Sequence, residues 1–188
     1  MRKFLLFLTV LFSISRANAT DCDTTTCRQI VLDFYNWYST KITTDNISDF
    51  QPKFSEDKNG FVTLDFTAYV DNLKRLRFTD KLIKQEIEYY NPCVENLKTI
   101  KYSDFRTKFS DISDFENIKC DFFNTHRWTK TMESFTGVEL TKSILEKDKV
   151  QVFGRIYEKT PDETYYYGDV VVTLVRIDNK WMIYDIEI

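Results

Sequence analysis

Near residue 119 the apolar period of this chain changes from that of a helix to that of a strand. That change constrains the fold more than any other feature. Before it, apolar residues recur every three or four positions; after it they recur every second position, between short polar turns. No linker divides the halves, since Gly 4 and Pro 3 in 188 residues are too few to build one. We therefore expect a single α+β domain, with N-terminal helices packed on a strongly curved antiparallel C-terminal meander sheet. With 43% hydrophobic and 16% aromatic residues, the chain has enough apolar surface to offset the entropy of ordering it.

The helical half predicts three main helices. The first spans about 26 to 43, with Thr25 or Thr26 as N-cap. Its stripe is Ile30, Val31, Phe34, Tyr35, Trp37, Tyr38 and Ile42. So many rings on one face suit packing across an open sheet, and Trp37, read as mid-stripe, is expected to be mostly buried. Residues 43 to 61 read as a loop around Pro52 and Asn59-Gly60. A second helix is expected over about 64 to 78. A third starts at the Thr79-Asp80 cap, carries Leu82, Ile83, Ile87 and Tyr90, and is interrupted at Asn91-Pro92. Strands are expected near 121–129, 137–146, 150–159, 165–177 and 180–188. Polar turns join them, among them Asp178-Asn179, where Asn tolerates positive φ.

The N-terminus reads as a targeting signal. Arg2 and Lys3 precede the apolar run Phe4 to Phe12, and Ala17-Asn18-Ala19 supplies a small-x-small cleavage pattern. The run is too short to span a hydrocarbon core of ~30 Å. Residues 1–19 are thus expected to be a signal peptide and 20–188 the single domain, periplasmic or secreted, with no membrane anchor after cleavage. Loss of Arg2, Lys3 and Arg16 leaves 169 residues, 23 basic against 29 acidic, and a net charge of −6. That sign disfavours nucleic acid as a partner. The densest basic spot, Lys74, Arg75 and Arg77, reads as a solvated helix face.

All four cysteines, Cys22, Cys27, Cys93 and Cys120, follow the signal, so disulfides are expected. Of the three possible pairings we favour Cys22–Cys27, because it is local, and Cys93–Cys120, by elimination. Cys93, Cys120 and His126 show no CxxC or HxxxH spacing, and no metal or other cofactor is expected.

Three features carry a resemblance. They are the aromatic opening helix Ile30-Val31-Leu32-Asp33-Phe34-Tyr35-Asn36-Trp37-Tyr38, the order of helices before a meander, and the terminal hairpin 171–186 with its Lys180-Trp181 turn exit. Together they resemble the cystatin-like, or nuclear transport factor two-like, superfamily. Within it, Phe34-Tyr35-Asn36-Trp37-Tyr38 is similar to an uncharacterised family of exported bacterial proteins. The resemblance implies a bent sheet wrapped around a long helix, leaving a conical pocket. Known enzymes of that superfamily are similar to ketosteroid isomerase, with a pocket Asp as base and a Tyr as oxyanion donor. Here Asp65, Asp121 and Tyr157 qualify by residue type alone, and no catalytic residue is assigned.

His126, the sole histidine, reads as a partly exposed strand residue rather than a general base. Trp37, Tyr38, Trp128 and Trp181 are the candidate pocket-lining residues, weighed against a plain core role. Tyr165-Tyr166-Tyr167 leaves at least one ring facing away from the core. The expected function is an exported, non-enzymatic domain that binds a small apolar ligand or a protein. The alternatives are a periplasmic immunity or inhibitor protein against a secreted toxin or hydrolase, and an isomerase or dehydratase using a pocket carboxylate.

Overall fold

The structure, a computed structural model, describes the backbone of residues 2–44 and 47–188 and the side chains of 23–44 and 47–188. Helix α1 (Arg2–Thr43) is longer than expected. No Pro or Gly interrupts residues 2–43, so the backbone helix passes through Thr25 and Thr26, and neither caps it. The side chains of the expected signal and of Cys22 lie outside the described residues.

The buried stripe of α1 is Cys27, Ile30, Val31, Phe34, Tyr35 and Tyr38. Trp37 is only partly buried, which corrects the expected mid-stripe position. At 100° per residue it sits about 90° from the centre of that stripe, where a side chain meets the rim of the core. Phe34 holds the centre: its ring lies 4.9–6.2 Å from those of Tyr35, Trp37, Tyr38, Phe78 and Trp128.

The expected loop 43–61 contains structure. Helix α2 (Ile47–Phe50) is followed by a hairpin of β1 (Lys53–Glu56) and β2 (Val62–Asp65). Gly60 supplies the positive φ of 82° that the turn needs, and the Asp57 carboxylate accepts from the N–H groups of Asn59 and Phe61 at 2.8 and 2.9 Å. Because Leu64 belongs to β2, α3 (Thr67–Arg75) starts later than expected, and it ends where Arg77 turns left-handed. Helix α4 (Asp80–Tyr89) begins as expected: the Thr79 hydroxyl accepts from the Leu82 N–H at 3.3 Å. Helix α5 (Asn91–Leu97) restarts at Pro92, where a missing N–H costs nothing. Two short helices follow, α6 (Tyr102–Lys108) and α7 (Ile112–Asn117).

No strand forms at 121–129; the segment is a series of turns. The His126 carbonyl accepts from Thr129 and Lys130, the His126 N–H donates to Thr131, and Asn124 donates to Asp121. These local bonds use the groups that a ladder would need.

The last four strands, β3 (Gly137–Glu146), β4 (Lys149–Lys159), β5 (Thr164–Ile177) and β6 (Lys180–Glu187), form one antiparallel meander in that order. Its tight turns take positive φ at Lys147, Asp178 and Asn179. Register shifts near Leu140, Ile156 and Thr173 bend the strands. On β4, Val150, Val152, Gly154 and Ile156 face inward, and a Cβ at Gly154 would stand 2.8 Å from Val138. Helix α1 packs on β3 and β4. The edge at β6 is covered by residues 77–79, whose backbone exchanges bonds of 2.7 and 2.9 Å with Ile183. On β5 only 171–177 pair with β6, so 164–170 keep a ladder partner on one side alone.

Cys93 and Cys120 form a disulfide with Cα atoms 4.8 Å apart, as expected. Cys27 is a free, buried thiol, which corrects the expected bridge to Cys22. Both residues lie on one continuous helix, which sets Cα atoms five positions apart roughly 8–9 Å from each other, too far to bridge. Among the described residues, no helix is long and apolar enough to cross a membrane.

Candidate functional site

The most unusual side chain in the interior is Glu86. Its position follows from α4: Leu82, Ile83 and Glu86 share the buried stripe, so the helix that buries two aliphatics also buries a carboxylate, 1% exposed. A buried carboxylate must be matched by donors. Tyr69 on α3 and Tyr90 at the α4–α5 junction donate to its Oε1 at 2.9 and 3.2 Å. Arg127, from the loop after the disulfide, donates through Nε to Oε2 at 2.9 Å. The network continues inward, with Trp128 Nε1 donating to the Tyr69 hydroxyl at 3.0 Å and the Trp128 backbone N–H to the Tyr38 hydroxyl at 3.4 Å. Burial raises the Glu86 carboxyl above its ordinary value, with Arg127 and the two phenols pulling against it. Burial, reinforced by the charge of Glu86, keeps the Tyr69 and Tyr90 phenols protonated. Both carboxylate oxygens are engaged, so Glu86 acts by holding Arg127 in place.

Two clefts open beside this network and share Phe122 as a wall. The first, about 410 Å³, is lined by Ile42, Ile47, Phe50, Pro52, Phe54, Phe122, Phe123 and His126, with Gln51 and Lys53 at its polar part. His126 stands edge-on to Tyr38 and Phe50, each 6.4 Å away between ring centres. Burial lowers its pKa, against a weaker opposite pull from Glu133, so it enters the cleft wall as a neutral imidazole at neutral pH. The second cleft, about 380 Å³, is lined by Tyr89, Tyr90, Pro92, Cys93, Lys119, Asp121, Phe122, Thr125, Arg127 and Lys130.

The four candidate pocket residues line neither of these clefts. Tyr38 and Trp128 are buried together in the core around Phe34. Trp181 is buried under the last hairpin, where its Nε1 donates to Asp23 at 3.3 Å. Trp37 lines a separate cleft of about 340 Å³ with Asp33, Arg75 and Arg77, and its Nε1 is buried there without a hydrogen-bond partner among the described residues. The three residues considered for isomerase chemistry are not brought into one cleft. Asp65 caps Thr67 and pairs with Lys53 at 3.5 Å, Asp121 lines the second cleft, and Tyr157 faces out from β4. No group of three or more His, Cys, Asp or Glu suited to a metal ion occurs among the described residues.

The three tyrosines of β5 are all exposed, at 46%, 46% and 38%. Each hydroxyl donates to a glutamate: Tyr165 to Glu163, Tyr166 to Glu139, and Tyr167 to Glu158. They stand on the stretch of β5 that β6 leaves unpaired.

Comparison with protein-family models, with curated proteins and with solved structures finds no match to any of them.

Proposed function

We propose that this chain is an exported, non-enzymatic binding domain with the cystatin-like cone, and that its ligand is a small apolar molecule held in the first cleft. The observation that carries this reading is the wall of that cleft. Four phenylalanines, two isoleucines and a neutral imidazole enclose about 410 Å³, within the range of small-molecule sites. The non-enzymatic reading draws on Glu86, the one buried carboxylate among the described residues, whose two oxygens are already taken by donors. The cone draws on the order of helices before a bent meander, with α1 lying on β3 and β4. Export draws on the signal pattern at residues 1–19 and on the disulfide.

The test is a titration with N-phenyl-1-naphthylamine, a neutral apolar fluorophore. Saturable one-to-one binding is expected. Ile47→Asp, at a 50% exposed position of the cleft wall, is expected to weaken it at least tenfold without changing stability. Absence of saturation, or equal binding by the variant, overturns the reading. Sequencing of the exported protein is expected to start at Thr20; a start at Met1 overturns the export part.

A second reading, an inhibitor or immunity protein, is favoured by the tyrosines of β5. They combine a strand edge open to pairing with a glutamate beside each hydroxyl, which suits a basic partner.

A further inference from the structure

We propose that the second cleft is an oxyanion site, taking the carboxylate or phosphate of a small ligand whose planar part lies on Tyr89. This goes beyond the apolar-ligand reading and rests on the cations of the cleft rather than on the apolar wall. The chain as a whole is acidic, at −3, yet Lys119, Arg127 and Lys130 converge here on about 380 Å³ with Asp121 as the one lining carboxylate. Arg127 is pre-organised. Its Nε is fixed by Glu86, and its guanidinium carbon stands over two rings, 4.4 Å from the centre of Tyr89 and 4.9 Å from that of Trp128. Its two terminal nitrogens have no protein partner among the described residues, and a guanidinium held in this way presents the fork that an oxyanion fits.

The lysines complete the cage. Lys130 Nζ is 6.0 Å from the Tyr89 ring centre, and neither Lys119 nor Lys130 has an ion-pair partner among the described residues. Partial burial, and then repulsion from Arg127, lowers the Lys130 pKa against a weaker opposite pull from Glu86, and an anion held between the two cations offsets both effects. The Cys93–Cys120 disulfide is built into the cleft and ties the α5 wall to the lip that carries Lys119.

The experiment is an NMR titration of the whole mature protein with sodium phosphate, sodium acetate and sodium benzoate, each against sodium chloride at matched ionic strength. Saturable shifts at the Trp128 indole and across residues 119–130 are expected with phosphate or a carboxylate, and not with chloride. Saturation by phosphate alone assigns a phosphate-bearing ligand. Benzoate binding tighter than acetate assigns an aromatic carboxylate. Lys119→Gln combined with Lys130→Gln alters two exposed side chains and is expected to fold normally and to weaken the anion at least tenfold. Arg127→Lys keeps a charge on Glu86 but removes the fork, and a similar loss is expected. Equal shifts with chloride, or wild-type affinity in the lysine variant, overturns the proposal. Neutral-fluorophore binding in the first cleft is read separately, so either reading can fail alone.

Discussion

At the scale of single residues, Glu86 and His126 show how burial decides what a titratable group does. Glu86→Ala leaves the Arg127 charge and two phenols without their acceptor. Losing one partner of a buried ion pair typically costs about 3–5 kcal/mol, and we expect a loss of that order in denaturant unfolding. Glu86→Gln keeps an acceptor for Tyr69 and Tyr90 and is expected to lose less. His126 has a pKa below its ordinary 6.5 in the folded state, so the unfolded chain binds the extra proton first. Stability is therefore lost as pH falls from about 6.5 through the depressed folded value. In His126→Gln that part of the pH dependence is expected to vanish from unfolding curves taken between pH 7 and 5; an unchanged slope would place the imidazole in solvent. Glu86 was missed in the sequence, although as an acid on the apolar stripe Leu82, Ile83, Ile87, Tyr90 it was legible in part. Its partner was not, because Arg127 arrives from 41 residues away and nothing in the local pattern of either residue encodes that meeting.

At the scale of elements, the strands were the most legible. Period-two patterns bounded by Lys147-Asp148 and Asp178-Asn179 place β3 to β6 within a residue or so of their observed ends. The expected strand at 121–129 fails for a physical reason: its apolar residues suit a strand, but its backbone bonds close locally beside a disulfide. The β1–β2 hairpin was too short to show a period. On α1 the stripe was legible, but its centre was misplaced by one residue type: the bulk of Trp37 suggested a core position that Phe34 occupies. Phe34→Ala is thus expected to cost ~3–5 kcal/mol and Trp37→Ala distinctly less, measured by unfolding of ligand-free protein. The disulfide closes a loop holding α6 and α7, whose rings Phe105 and Phe115 pack at a tilt against Phe54, 4.8 and 5.7 Å away between ring centres. Cys93→Ser is expected to cost roughly 2–5 kcal/mol and to loosen that cluster before the sheet, visible as earlier amide exchange over residues 98–120.

At the scale of the whole molecule, helices at one end of the chain and a meander at the other are joined by long-range polar ties, among them Arg28 to the Leu140 carbonyl at 3.1 Å. Another is at Asp23, which accepts from Arg176 at 2.7 Å and from Trp181 and so fastens α1 to the last hairpin. Cys27 lies one turn further along that helix. It is fully buried and its thiol is pushed up to about 12, by burial first and then by the charge of Asp23. Sulfur attacks another sulfur as thiolate, and almost none exists here at neutral pH. The native protein therefore carries an internal timer. A thiol-labelling reagent can modify Cys27 only while α1 has lifted from the sheet, so the rate of label appearing on the peptide that contains Cys27 reports the frequency of that opening. Labelling within seconds under native conditions would mean that α1 does not stay closed on the sheet.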